Sequence, residues 1–247
     1  MEGGRKKETN MQDKRIVLVK LGGGLIAPKD WTPETPDMGV IKRLIREIEE
    51  SKVRVIVAVG SGNFGHAAVK KYGIDSDEGV DKVRVIAGKI GKIVAQEIGD
   101  SKLIITHDVP WEINEILDTG RTPVIYGDVM GKGEIWSGER CIAEMLPELV
   151  SSGWNVQKII QVSAEEGVWD VDKNIISEIT SESWEKYNGS VGGSAGTDVT
   201  GGMLHKVEES LGIANKYRIK TWIISGKVEG RLKKALRGEK VLGTIVG

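Results

Sequence analysis

Short apolar runs alternate along the chain with longer segments whose apolar residues recur every three or four positions. The runs are rich in β-branched residues, and such runs are typical of strands that are covered on both faces of a parallel sheet. We therefore predict strands at residues 15–21, 53–59, 102–106, 122–126, 158–162 and 221–225.

The segments between these runs have the period of an amphipathic helix. In residues 38–50, for example, Ile41, Leu44, Ile45 and Ile48 form one apolar stripe among charged residues. Further helices are predicted at residues 66–72, 83–98, 111–117, 139–150, 203–211 and 228–236. This alternation predicts an α/β fold in which an open, mainly parallel central sheet lies between helix layers, a three-layer αβα sandwich.

Two regions do not follow the alternation. Residues 170–196 are interpreted as short hairpin-like strands followed by a polar loop, and the basic head of the chain is interpreted as part of a disordered tail, residues 1–14. No low-complexity linker or change of composition divides the remainder, so we expect residues 15–247 to form a single domain.

Composition excludes several classes of function. The 247 residues include 35 basic and 36 acidic side chains, so no positive field favours nucleic acid. No apolar run approaches the roughly 20 residues that cross a bilayer, and the charged head lacks the apolar segment of a signal peptide. Cys141 is the only cysteine, which excludes an internal disulfide and a cysteine-built zinc site. We expect a cytoplasmic protein that binds neither nucleic acid nor membrane.

Glycines follow three of the predicted strands at the edge where ligands bind in open α/β sheets. These glycines are Gly22, Gly23 and Gly24, then Gly60, Gly62 and Gly65, and then Gly127, which precedes Asp128. A fourth cluster occupies residues 190–207. Loops of this kind, with helix N-termini behind them, offer many backbone amides to phosphate groups.

The segment GSGNFG also satisfies the dinucleotide-binding pattern GxGxxG, which leaves a nicotinamide-dependent dehydrogenase as an alternative. That pattern normally opens the first strand-to-helix turn, whereas a glycine-bearing unit already precedes it here. The P-loop pattern GxxxxGK followed by Ser or Thr is absent from the chain.

Three lysines lie beside the glycine clusters. Lys20 stands at the end of the first predicted strand, where burial is costly unless the ammonium group has an anionic partner. Lys29 and Lys206 flank other clusters, and three cations around one polyanion would neutralise the charge that develops during phosphoryl transfer.

The segments VKLGGGLIAPK, GSGNFGHAAVKKYG, TPVIYGDV, IWSGE and GTDVTGGMLHK, in this order, resemble the amino acid kinase family and within it most closely the isopentenyl phosphate kinases. The resemblance implies an amino acid kinase-like fold, a homodimer, and transfer from ATP with Mg²⁺ to a small-molecule phosphate acceptor, isopentenyl phosphate first.

The resemblance also implies roles for residues. Lys20, Lys29 and Lys206 would stabilise the transferring group, His66 would contact the acceptor phosphate, and Gly22, Gly23 and Gly24 would hold ATP phosphates. Asp198, Gly201 and Gly202 would serve the nucleotide. The acceptor side would comprise Gly60, Gly62, Gly65, His66, Gly127 and Asp128. No residue is assigned to a metal.

The chain departs from the family pattern at several positions. Val59 stands where a histidine is common, Ala164 and Glu166 occupy the two aspartate positions of the segment TDVDG, and Glu139 replaces the aspartate of SGD. The stretch between Tyr72 and Thr122, which would supply much of the acceptor pocket, has few aromatic residues. Two alternatives therefore stay open: a kinase acting on a carboxylate, phosphonate or carbamate, and a non-catalytic nucleotide- or anion-binding protein.

Overall fold

The computed structural model describes residues 14–105, 109–187 and 202–247. The first half of the chain forms β1 (Arg15–Leu21), α1 (Gly23–Ile26), α2 (Met38–Ser51), β2 (Val55–Val59), α3 (Gly62–Tyr72), α4 (Asp77–Glu97), β3 (Ser101–Leu103) and α5 (Val109–Asp118). The second half forms β4 (Thr122–Tyr126), β5 (Asp128–Gly131), β6 (Glu134–Trp136), α6 (Gly138–Ser151), β7 (Asn155–Ser163), β8 (Glu178–Ile179), α7 (Ser181–Tyr187), α8 (Gly202–Tyr217), β9 (Thr221–Ser225), α9 (Arg231–Leu236) and β10 (Thr244–Val246).

Within the described residues the main sheet has eight strands in the order β3-β4-β2-β1-β7-β9-β10-β8. Its neighbours are parallel except for the antiparallel pair β9–β10. β1 lies at the centre, where Lys20 is level with Ala58 of β2 and Gln161 of β7. The carboxyl ends of β1, β2, β4 and β7 therefore meet at one edge.

Helices cover both faces of the sheet, which confirms the predicted three-layer α/β architecture. Val17, Val19 and Leu21 of β1 belong to a core shared with α2, α4 and α9. Ile16 and Leu18 belong to a second core with α5, α6 and the C-terminal half of α8. Side chains alternate between the faces of a strand, so Lys20 points to the same side as Ile16 and Leu18.

The predicted strands and helices are confirmed in place, with shifted ends and several omissions. The interpretation of residues 170–196 is wrong in part. An antiparallel bridge joins Trp169 to Ile175, but residues 181–187 are helical, and residues 188–196 lie outside the described part of the chain. The elements α1, β5, β6 and β10 were not predicted, because they are too short to show a period.

The expectation of a disordered tail concerns residues 1–14, of which only Lys14 is described. Its ammonium group donates to the carbonyl oxygen of Ser152 at 2.9 Å and lies 5.6 Å from the ring centroid of Trp154. Among the described residues, no helix combines the length and the apolar character that crossing a membrane requires.

Candidate active site

A cavity of about 790 Å³ opens at the edge where the carboxyl ends of β1, β2, β4 and β7 meet. Its lining includes the predicted site residues Lys20, Gly22, Gly23, Gly24, Lys29, Gly60, Gly62, Gly65, His66, Gly127, Asp128, Gly202 and Lys206. The other two, Asp198 and Gly201, lie outside the described residues, as does most of the glycine cluster at 190–207. The fold thus brings the described candidates together around one space.

The glycines after β1 and β2 pack directly against each other. A Cβ atom on Gly23 would lie 2.3 Å from the backbone nitrogen of Gly62, and one on Gly60 would lie 2.5 Å from that of Gly23. Gly62 also has a positive φ of 50°, which favours glycine. Among the described residues, in contrast, no atom would lie within 4 Å of a Cβ on Gly24. Backbone packing thus accounts for Gly23, Gly60 and Gly62, whereas Gly24 leaves open space that a ligand can use.

Lys20 forms a buried ion pair with Glu139, the second residue of α6. Burial tends to raise the pKa of Glu139, but the charges of Lys20 and Lys206 and the hydrogen bond from Lys20 outweigh that effect and lower the pKa. Glu139 is therefore ionised at neutral pH. Sequence reasoning noted it only as a departure from the family pattern, because the contact joins residues 119 positions apart.

His66 lies in the first turns of α3, and Lys29 lies on the exposed loop between α1 and α2. Burial, followed by the positive charge of Lys29, lowers the pKa of His66. The imidazole is therefore neutral at neutral pH, with one N–H available as a donor. The two candidates for anion contacts thus face the same part of the cavity.

Asp128 begins β5 and is buried. Its Oδ1 atom accepts a hydrogen bond from the backbone nitrogen of Val129 at 2.8 Å, which is a local turn contact of the kind that aspartate makes in many loops. Its carboxylate also lines the cavity.

Burial, together with the charges of Asp128 and Glu139, raises the pKa of Cys141 to about 12.

One part of the cavity wall is apolar. It is formed by Val69 of α3, Val83 and Ala87 of α4, Val129 of β5, and Ile135 and Trp136 of β6. Arg84 fixes the β5–β6 hairpin to α4 by donating to the carbonyl oxygens of Val129 at 2.6 Å and Met130 at 2.9 Å. The sequence did not predict this hairpin; it placed much of the acceptor pocket between Tyr72 and Thr122, the stretch that contains Val83 and Ala87. Ile135 lines the cavity and is 53% exposed.

The β7 and α8 side of the cavity is more polar. It contains Ser163, Ala164, Glu165, Trp169, Met203 and His205. Of the two departures in the segment SAEEG, only Ala164 reaches the cavity, since Glu166 forms an ion pair with Arg231 of α9. Trp169 was not singled out, because tryptophan is more often a core or interface residue and nothing nearby in the sequence marked it.

The model of the amino acid kinase family matches residues 15–225. The chain belongs to the amino acid kinase family. It is 28% identical to the isopentenyl phosphate kinase of Methanothermobacter thermautotrophicus, over 93% of this chain and 98% of that protein. It is 31% identical to the isopentenyl phosphate kinase of Haloferax volcanii, over 80% of this chain and 88% of that protein.

A solved isopentenyl phosphate kinase structure superposes on this amino acid kinase fold with a TM-score of 0.76 at 21% identity. The match covers 94% of this chain and all of that one. At that identity the superposition establishes the shared fold. The predicted family resemblance and the predicted fold class are both confirmed.

Proposed function

We propose that this protein is an ATP-dependent kinase that phosphorylates isopentenyl phosphate to isopentenyl diphosphate. One observation is the main support for the proposal. A single cavity is lined by the glycine loops, by the three lysines and, beside His66, by an apolar wall. A ligand that suits both parts has an anionic head and a short hydrocarbon tail. The similarity to two isopentenyl phosphate kinases, over 93% and 80% of this chain, supports the same acceptor.

We propose that the acceptor phosphate lies against His66 and the glycines after β2, with its tail on the apolar wall. Burial of the tail against Val83, Ala87 and Ile135 removes apolar surface from water, which contributes about 25 cal/mol for each Å². The neutral imidazole of His66 donates a hydrogen bond to a phosphate oxygen. An acceptor without a hydrocarbon tail lacks the free energy of apolar burial, and an acceptor without phosphate lacks the hydrogen bond from His66.

We propose that ATP binds on the opposite side, with its phosphates near Gly24, Lys206 and the start of α8. The terminal phosphoryl group is transferred in line: the new bond forms from an acceptor phosphate oxygen as the bond to the ADP oxygen breaks. Lys20, Lys29 and Lys206 stabilise the charge on the transferring group. A phosphate acceptor is ionised at neutral pH, so the reaction needs no general base.

We propose that Mg²⁺ enters the site together with ATP, bound to the phosphate oxygens of the nucleotide. Near the cavity the carboxylate of Glu139 is engaged by Lys20. Among the described residues no group of three or more His, Cys, Asp or Glu side chains is placed to hold a metal ion. A homodimer and a cytoplasmic location stay predictions from the sequence.

The first experiment measures phosphoryl transfer from labelled Mg-ATP to isopentenyl phosphate, dimethylallyl phosphate, fosfomycin, amino acids and carbamate. We expect transfer to the prenyl phosphates. Lys206→Met should abolish it, while Lys216→Met, which removes an exposed lysine from the far end of the same helix, should leave it unchanged.

Transfer only to a carboxylate, phosphonate or carbamate would replace the proposed acceptor with that of another member of the family. Binding of ATP without transfer to any acceptor would favour the non-catalytic alternative. Ala87→Phe tests the apolar wall separately: filling that space should raise KM for isopentenyl phosphate by about 10-fold or more and leave KM for ATP unchanged.

A further inference from the structure

The loop between α1 and α2, residues 27–37, carries Lys29, and a hydrogen bond from the backbone nitrogen of Asp37 to the carbonyl oxygen of Ile26 at 2.8 Å closes it. Three of its residues are proline, Pro28, Pro33 and Pro36, which lack an N–H group and stiffen the chain. Lys29 is exposed, so the position of its ammonium group depends on where the loop backbone is held. A stiff loop moves as a unit, so its anchors decide that position.

Asn63, the second residue of α3, anchors this loop at two places. Its side-chain amide nitrogen donates to the carbonyl oxygen of Pro28 at 2.9 Å and to that of Thr35 at 2.8 Å. Its backbone nitrogen donates to the carbonyl oxygen of Ala27 at 2.9 Å. One residue thus supplies three hydrogen bonds to the loop.

Burial makes this anchor strong. Asn63 is only 2% exposed, so its removal takes a buried donor away from the carbonyl oxygens of Pro28 and Thr35. The opposite orientation of the amide would turn its oxygen towards two carbonyl oxygens, so only the observed orientation satisfies both acceptors. Among the described residues its Oδ1 atom has no hydrogen-bond partner, which indicates that the two donors are what holds the side chain in place.

The same turn of α3 also carries His66, three residues after Asn63. The charge of Lys29 reaches His66 and disfavours protonation of its imidazole. The anchored loop and the first turn of α3 therefore place one cation and one hydrogen-bond donor beside the same region of the cavity.

We propose that Asn63 is a positioning residue that holds Lys29 beside His66 by joining the two ends of the loop to α3. Asn63 acts through Lys29 and touches neither substrate. The ion pair between Lys89 of α4 and Glu34 also attaches the loop to the fold. We therefore expect substitution of Asn63 to affect the position of Lys29 more than it affects folding.

The test is an NMR titration of the His66 imidazole without ATP or acceptor. Lys29→Met should raise the pKa of His66, because it removes the positive charge. Asn63→Ala should also raise it, because Lys29 moves away, and should raise it no further when combined with Lys29→Met. The chain has three histidines, and a His66→Gln variant assigns the signal.

Asn114→Ala is the matched control. Asn114 of α5 is half-buried, and its amide nitrogen likewise donates twice, to Glu148 at 2.6 Å and to Ser152 at 2.8 Å, but it does not line the cavity. The control should leave the pKa of His66 unchanged. If Asn63→Ala does not fold, Asn63→Ser, which keeps one donor, takes its place.

Three results would overturn the proposal. Asn63→Ala could leave the His66 titration as in the wild type, or Lys29→Met could fail to change it. Alternatively, Asn63→Ala could raise the pKa as much in the Lys29→Met background as in the wild type, which would mean that the effect comes from hydration. None of these results depends on which acceptor the enzyme uses.

The second arm is kinetic and rests on the proposed function. Asn63→Ala should lower kcat by about 10- to 100-fold with little change in KM for ATP, as expected for a displaced catalytic group. In the Lys29→Met background the same change should have an effect within about 2-fold. Equal losses in both backgrounds would contradict positioning through Lys29. Absence of transfer to any acceptor would count against the proposed function and leave the titration as the test.

Discussion

Lys20, near the end of the central strand β1, forms an ion pair with Glu139, near the start of α6, and both side chains are less than one tenth exposed. The pair joins the sheet to a helix at the edge where the glycine loops meet. It supplies the anionic partner that a buried Lys20 requires, and that partner is a residue of the protein. Lys20 is held in place by protein before any substrate arrives, and the positive charge of Lys206 also reaches the same carboxylate.

The buried pair predicts that stability and activity separate. Lys20→Met removes the hydrogen-bonded partner of the buried Glu139 carboxylate, so we expect the free energy of unfolding to fall by about 3–5 kcal/mol and activity to disappear. In the double variant Lys20→Met/Glu139→Leu no charge is stranded, so stability should recover while activity stays lost. Urea denaturation and the transfer assay measure the two quantities. A double variant as unstable as the single one would show that the pair is not the cause.

The same pair predicts an acidic limit of stability. Because the pKa of Glu139 is lower in the folded protein than in an unfolded chain, the pair stabilises the fold above the ordinary pKa of glutamate. This contribution is lost as the pH falls through the folded-state pKa. The stability of the wild type relative to that of the double variant should therefore fall on acidification. A difference that is constant with pH would contradict this assignment.

We expect substitution of His66 to impair the reaction with the acceptor and to leave the binding of ATP unchanged. Loss of one hydrogen bond to a charged group costs about 1.5–3 kcal/mol, so His66→Ala should lower kcat/KM for isopentenyl phosphate by about 10- to 100-fold. The KM for ATP should not change, and steady-state kinetics with each substrate varied in turn check this. A rise in KM for ATP alone would place His66 with the nucleotide.

His66 also predicts a pH effect on stability. Since burial and Lys29 lower its pKa, protonation of the imidazole is disfavoured in the folded state, and the wild type should lose stability as the pH falls below the ordinary histidine value. His66→Gln should lack this part of the loss. Unfolding curves between about pH 5 and pH 8 measure the difference.

We expect substitutions of the neighbouring residues Gly23 and Gly24 to have different effects, one on stability and the other on ATP binding. Gly23→Ala forces a Cβ atom against the backbone of Gly62 and should destabilise the fold by about 1–3 kcal/mol or more. Gly24→Ala meets no atom of the described residues, so it should fold normally and weaken ATP binding, as expected if ATP phosphates approach at Gly24. Thermal unfolding and isothermal titration with ATP compare the two. Equal stability in both variants would contradict the packing of the loops.

We expect the thiol of Cys141 to be unreactive in the folded protein. It is buried, it donates a weak hydrogen bond to the carbonyl oxygen of Tyr126 at 3.6 Å, and its pKa is raised to about 12, so the reactive thiolate is scarce. We expect an alkylating reagent to modify it only in denaturant. Rapid labelling of the native protein, followed by mass spectrometry, would contradict its burial.

Local patterns predicted the parts of the structure that depend on local physics. The run 15–21 reads as a buried strand because both faces of β1 are covered, and the stripe that contains Ile41 and Ile48 reads as α2 because one face of that helix meets the core. Glycines and lysines after strand ends indicated the edge that holds the cavity, since parallel strands end at the same side of a sheet.

The sequence by itself thus determined the α/β class, the edge of the sheet and most of the candidate residues. Only the tertiary structure decided which of them act together: the pairing of Lys20 with Glu139, the hold of Asn63 on the Lys29 loop, the contact between Gly23 and Gly62, and the apolar wall to which β5 and β6 contribute. Each joins segments far apart in the chain. Such contacts follow from the packing of the whole fold and leave no periodic mark on either segment alone.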